Sequence, residues 1–504
     1  MKVQKKSFNF IQWLAKNRNL LFLIGILFLS IILRFYNYTN RWGLAADQAR
    51  DVLVVREALR MHKLPLIGPF SASGPYVFGP FWYWALLIPI GLFRNYLLAP
   101  WLFLTSLYVV SVYVTYLLGK KLVDTRFGLL TSLFAAISPA EIQLSTNLIM
   151  SSFVGFLSVS IFYCFVSYIK EKRLRDLSIM ALLIGLAINT HFEAVPLVIL
   201  ILFALLLGHR NRIHAITGII SFAVPFIPLV IFNWKDHSYE LTHIFLTNAP
   251  KQHLQLIDTI LEIAKREFVF LSYTLPKEWG WMTTGFGLAV GYAALFLVSG
   301  SLILTFHRHR LQKEIGIFSL IAVIIFAIVG SYSGVLYGNF LAYLNPLFFV
   351  LTTWMCLFVV KNQKYTGILL IIAICILALY SDVKTIKSST NSTALQAYTF
   401  EHALNTLYPK QKFSVYEHDS FLTKDDALAL SLFLYYDKKI SGSGLKIGIA
   451  HIGAPVNHQV IFDDIETGLR IYNFGSEDNV KLAQEHFIPY NPGKIYASVE
   501  NWYK

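Results

Sequence analysis

Asp47, Arg50, Asp51, Arg56 and Glu57 crowd into the stretch "LAADQARDVLVVREALR", Leu44 to Arg60. In a helix Asp47 and Asp51 stand at i and i+4 and share a face, while Arg56 and Arg60 point roughly the other way. Arg50, three residues after Asp47, can steady that carboxylate. An isolated carboxylate at a loop–helix junction beside a bilayer is well placed to act as general base toward a hydroxyl. The position of Asp47 just before a helical stretch fits a helix N-cap equally well. Both readings stand at this stage, and Asp51 reads as structural or acceptor-binding.

Further ionisable groups lie inside or beside apolar runs: Arg34, Glu141 in "SPAEIQLSTN", and His191 with Glu193 in "NTHFEAVP". A charged group at the centre of a spanning helix costs ~2.5–3.5 kcal/mol on insertion scales, so such residues are functional candidates by default. Lys235, His237 and His243 follow another apolar run directly, where a basic residue is either an interface anchor or a contact for an anionic substrate. Tyr76 sits in "PLIGPFSASGPYVFGP", a turn-rich loop that serves as a substrate lip or as a plain link between interfacial helices.

The elements that must position these groups are membrane spans. The chain has 504 residues, 56% of them hydrophobic and 14% charged, and apolar runs near twenty residues recur through its first three quarters. Spans are expected at 19–36, 97–118, 126–147, 150–169, 213–232, 283–305, 315–331, 339–360 and 365–380. The run 177–208 lies between the basic clusters Lys170–Arg175 and Arg210–Arg212, so it must cross an even number of times. We expect a short hairpin broken at Asn189–Pro196, which brings the total to about eleven crossings. "GPFWYWALLIPIGLF", Gly79–Phe93, is too short to cross and is loaded with Trp82, Tyr83 and Trp84. It is expected as a half-buried interfacial helix inside one long outer loop, 37–96.

Charge gives the sidedness and excludes one partner class. The net charge is +14, but from Ser381 onward 12 Lys+Arg stand against 14 Asp+Glu, a net of −2, so the membrane part carries +16. That charge sits in short clusters between spans, the positive-inside pattern, and argues against nucleic acid. The N-terminus is expected in the cytoplasm as a retained anchor, and the tail from 381 outside, as a small α/β domain. Cys164, Cys356 and Cys375 all fall in apolar runs and offer neither zinc spacing nor a disulfide framework. By this threading Asp47, Glu141, His191 and Glu193 gather near the outer face, with nothing comparable in the cytoplasmic half. A transporter places its polar groups nearer the midplane, often in repeated halves. A site open to one side suits chemistry on a lipid-linked substrate.

The pattern resembles the GT-C membrane glycosyltransferases, most closely the branch of protein O-mannosyltransferases and aminoarabinose transferases. "ADQARD" stands where that family carries an acidic motif in the first outer loop, with Asp47 matching the first acid. "GPFWYWALLIPI" is similar to its Pro-aromatic helix, "ISPAEIQLSTN" to its segment with Ser-Pro and a later Ser-Arg, and "GLAINTHFEAVPLVIL" to its Gln-x-His-bearing short span. "PLVIFNWKDHSYELTH" is similar to a segment that follows a span in many bacterial members. Gln48 replaces the second acid, and Thr146 stands where an arginine is common. With one acid of the pair missing, a divalent metal would lack its second carboxylate.

The resemblance covers roughly 1–380 and implies a polytopic all-α GT-C domain there, with 381–504 as the extracytoplasmic α/β domain. It implies an enzyme of the cell membrane that moves a sugar from a polyprenyl-phosphate donor to a lipid, glycan or protein hydroxyl, with Asp47 as base. Arg50, His191, Lys235 and His237 are the expected donor-phosphate contacts. Asp51, Glu141, Glu193 and Tyr76 are expected to line the acceptor site or cavity. The alternative is a non-catalytic binder or transporter of lipid-linked sugars.

Overall fold

The computed structural model describes residues 17–69, 77–208, 212–235, 313–330, 342–388, 392–418, 434, 445–451, 459–464, 469–473 and 480–482. Six of the described helices are long and apolar enough to cross a membrane: Arg18–Phe35 (α1), Ala99–Leu122 (α4), Met150–Glu171 (α7), Arg212–Trp234, Ala342–Asn362 and Lys364–Lys387. Between α1 and α4 lie two further helices, Ala46–Met61 (α2) and Phe81–Leu92 (α3). The expected span 283–305 falls outside the described residues.

The expected span 126–147 is not a single straight helix. It is a bent pair, Thr125–Ala136 (α5) and Pro139–Thr146 (α6), turning by 56°, and counts as a seventh crossing if taken as one. Pro139 disfavours helical backbone at the residue before it. Ser138 accordingly leaves the helix and accepts from Glu141 N with its side chain, starting a new helix. α4 and α5 form a tight hairpin: a Cβ on Gly119 would meet Gly128 Cα at 2.8 Å, so small residues let the two backbones touch.

The run 177–208 is broken where expected. Leu174–Thr190 (α8) leads into a 3-10 turn, Phe192–Leu197, and then Val198–Leu207 (α9). Lys172 Nζ, just before α8, donates to Leu207 O at 2.6 Å, so the chain returns to the side it left. The next span divides at Pro225 into Arg212–Ala223 (α10) and Ile227–Lys235 (α11), joined by the 3-10 turn Val224–Phe226. Lys313–Gly330 (α12), Asn345–Asn362 (α13) and Lys364–Ser388 (α14) complete the described bundle, with α14 running on past 380.

These contacts sort the charges to two ends. Glu171 pairs with both Lys121 and Arg173, and Lys170 Nζ donates to Leu122 O, so the basic clusters after α4 and α7 meet at one end. α8 starts in that cluster and, at 1.5 Å per residue, delivers His191 to the opposite end.

Past α14, Ser392–Leu407 (α15) precedes a five-stranded sheet of order β3-β4-β2-β1-β5. The strands are Phe413–His418 (β1), Leu445–His451 (β2), Val460–Asp464 (β3), Leu469–Asn473 (β4) and Val480–Leu482 (β5). β1 and β2 are parallel, with Phe413 opposite Leu445, and the other pairings are antiparallel. Phe413, Val415, Ile447, Ile449 and Ile471 are buried, as are Ala397, Phe400 and Leu404 of α15, which gives the helix-on-sheet layer expected for the tail. The stretch "KDDALALSLFLYYDKK", which reads as helical in the sequence, falls outside the described residues apart from Leu434.

Candidate active site

α2 begins without a side-chain cap: Ala45, in extended backbone, occupies the N-cap position. Asp47 is thus the second helical residue, and the N-cap reading of it is corrected. In the first turn its carboxylate faces the positive end of the helix dipole. The side chain is 70% exposed and takes Arg50 Nη1 on Oδ1 at 2.7 Å.

The same guanidinium reaches Asp51 Oδ1 from Nη2 and from Nε, both at 2.9 Å, so Arg50 bridges the two carboxylates. Asp51 itself is buried. Its Oδ2 accepts from Trp82 Nε1 at 2.7 Å, and its Oδ1 accepts from Tyr83 OH at 3.4 Å. Burial pushes the Asp51 carboxyl above its ordinary range, and Asp47 adds to that; Arg50 and the Trp82 bond pull the other way without cancelling it. One helix thus presents two acids in different surroundings: Asp47 exposed to solvent, Asp51 committed to holding Arg50 and α3.

Two further anchors fix the start of α2. Gly43 N donates to Thr146 O at 3.0 Å, and Gln48 Nε2 donates to Asn147 Oδ1 at 2.8 Å, both at the end of α6. Trp101 Nε1 of α4 donates to Gly43 O at 2.8 Å. Gln48 is therefore spent on positioning α2 against α6.

On the other side, α3 is seated on the end of α8. Gly79 N donates to Asn189 O at 2.7 Å and Phe81 N to Asn189 Oδ1 at 3.1 Å. Phe78 stacks on the His191 ring with centroids 4.6 Å apart. His191 Nδ1 lies 3.2 Å from Glu193 Oε2, and the Glu193 side chain is 5% exposed.

Glu141 belongs to the same end of the bundle. It accepts from Asn345 Nδ2, at the start of α13, at 2.7 Å. Nearby, Arg34 donates to Ala135 O at 3.1 Å, Ala136 O at 2.9 Å and Ser30 Oγ at 2.9 Å. It supplies donors to carbonyls that the bend between α5 and α6 leaves unpaired within the helix.

Asp47, Arg50 and Asp51 are therefore in direct contact, and His191 and Glu193 join them through Asn189 and α3. Lys235 closes α11. Tyr76 and His237 fall outside the described residues. Among the described residues no group of three or more His, Cys, Asp or Glu comes together as metal ligands. Sequence reasoning missed Asn147, Asn189 and Asn345 as organisers of the site. Their one signal was position: each lies at a helix end, where an amide reaches backbone groups the helix leaves open.

Two comparisons with known proteins say what the chain is similar to. Residues 75–234, from the loop before α3 to α11, match the family described as dolichyl-phosphate-mannose-protein mannosyltransferase. The chain's fold is similar to that of ArnT from Cupriavidus metallidurans bound to undecaprenyl phosphate: TM-score 0.60, 10% identity, 92% of this chain and 99% of that one covered. The apo state of the same ArnT gives a TM-score of 0.58 at 10% identity, covering 91% and 98%. No curated protein matches the chain by sequence.

Proposed function

We propose that the protein transfers a sugar from a polyprenyl-phosphate donor to an acceptor hydroxyl at the outer face of the cell membrane, with inversion at the anomeric carbon. The observation that carries this reading is Asp47: an exposed carboxylate held at 2.7 Å by Arg50, at the bundle end remote from the basic clusters. The match to a family named for dolichyl-phosphate-mannose and the likeness to a fold that holds undecaprenyl phosphate support the donor class.

In the step itself, the acceptor O–H gives its proton to Asp47 while its oxygen bonds to the anomeric carbon. The bond from that carbon to the phosphate oxygen breaks, and polyprenyl phosphate leaves with the electron pair. A single displacement without a sugar–enzyme intermediate inverts the centre. Arg50, His191, Lys235 and His237 meet the leaving phosphate, where donors aimed at developing charge are worth most. Asp51, Glu141, Glu193 and Tyr76 line the acceptor side or the walls. In this reading the bundle crosses the membrane about eleven times with the N-terminus in the cytoplasm. The α/β domain, 381–504, then stands outside.

The test is single-turnover transfer from a polyprenyl-phosphate sugar by purified wild type and Asp47→Asn. Loss of transfer with donor binding intact supports the reading. Equal turnover in the variant removes Asp47 from the chemistry and leaves a binding or transport role for the site.

A further inference from the structure

Asn189 is fully buried, one residue before the end of α8, and three backbone groups from two other segments converge on it. Its carbonyl accepts from Gly79 N at 2.7 Å, its Oδ1 accepts from Phe81 N at 3.1 Å, and its Nδ2 donates to Pro225 O at 2.8 Å. Phe81 N is one of the donors that the first turn of α3 leaves open, and Pro225 O lies at the bend between α10 and α11. The approach is close enough to forbid a side chain opposite: a Cβ on Gly79 would fall 2.0 Å from Asn189 Nδ2 and 2.3 Å from its Oδ1.

We propose that Asn189 is a positioning residue that sets the helix bearing Asp47 in register with the turn bearing His191 and Glu193. The path on one side is short: the residues directly after Phe81 are Trp82 and Tyr83, which hold Asp51, and Asp51 holds Arg50 against Asp47. On the other side His191 is two residues from Asn189. Only an amide offers an acceptor and a donor on one short planar group. A carboxylate loses the bond to Pro225 O, and glutamine carries an extra methylene into a space already full. The inference rests on the reading of Asp47 as base and His191 as phosphate contact. Moving one relative to the other by ~1 Å slows the chemical step by about 10²-fold.

The experiment breaks the clamp from both sides, with Asn189→Ala and with Gly79→Ala, singly and together, in the full chain. Spin labels on Arg60→Cys in α2 and Val195→Cys in the turn, with the native cysteines replaced, report the separation whether or not sugar is transferred. The expected result is a broadened or shifted distance distribution in each single variant. Turnover should fall by about 10²-fold at unchanged donor KM. The double variant should be no slower than either single one, because both remove the same contact. An unchanged distance distribution overturns the inference. So does a multiplicative loss in the double variant, or a loss of activity that merely follows the folded fraction. Absence of transfer in wild type would instead defeat the glycosyltransferase reading, and the distance measurement would still decide the role of Asn189.

Discussion

The indole of Trp82 donates to Asp51 Oδ2 at 2.7 Å, and through this bond the aromatic helix α3 is fastened to the helix that presents Asp47. Trp82 is 1% exposed and packs against Phe153 of α7 at 5.7 Å between centroids, so the pair also ties the loop to the bundle. Trp82→Phe keeps most of the apolar contact and removes the donor. A buried carboxylate oxygen without its partner costs ~1–3 kcal/mol. Purified variant should melt lower in detergent, with transfer reduced as Arg50 and Asp47 lose their support.

Asp47→Asn and Asp51→Asn should separate chemistry from scaffolding. Asn at 47 keeps the volume of an exposed first-turn side chain, so the melting temperature should barely move. The chemical step should slow by the ~10²–10⁴-fold typical of a lost general base. Asp51→Asn instead alters a buried acid bonded to Trp82 and Arg50, and its main effect should be on thermal stability. Single-turnover rates beside melting curves distinguish the two, and near-normal transfer by Asp47→Asn sinks the assignment of the base.

Arg34→Leu tests the bend between α5 and α6. It strips side-chain donors from Ala135 O and Ala136 O, each orphaned acceptor costing ~1–3 kcal/mol. We expect a clear drop in melting temperature. The end of α6, where Asn147 receives Gln48, should then exchange amide hydrogens faster. A variant as stable as wild type would show that the bend holds itself.

Sidedness is open to direct labelling. Lys63→Cys beyond α2 and Lys410→Cys before β1 are exposed positions in the proposed outer regions, and Arg175→Cys marks the basic end. An impermeant thiol reagent on intact cells should reach the first two and not the third. Labelling of Arg175→Cys alone would invert the topology and move the site to the cytoplasmic face.

Much of this protein could be read along the chain because membrane insertion is a local affair. Apolar run length and the placement of Lys and Arg depend only on neighbouring residues, so six of the long apolar helices, the break within 177–208 and the short helix at 81–92 were visible in advance. The acidic stretch was visible for the same reason: i and i+4 spacing on one helix is a local fact. The state of each acid was not. Asp47 and Asp51 are the same residue type one turn apart. What leaves one exposed and buries the other is Trp82 and Tyr83, some thirty positions away, folded over that face. The bend at Ser138–Pro139 had a signal that span counting overrode, since hydropathy runs straight through "AAISPAEIQL". The asparagines at 147, 189 and 345 had almost none. An amide at a helix end looks like any other cap until tertiary structure brings a distant backbone or side-chain group to it, and that meeting is what joins the separate motifs into one site.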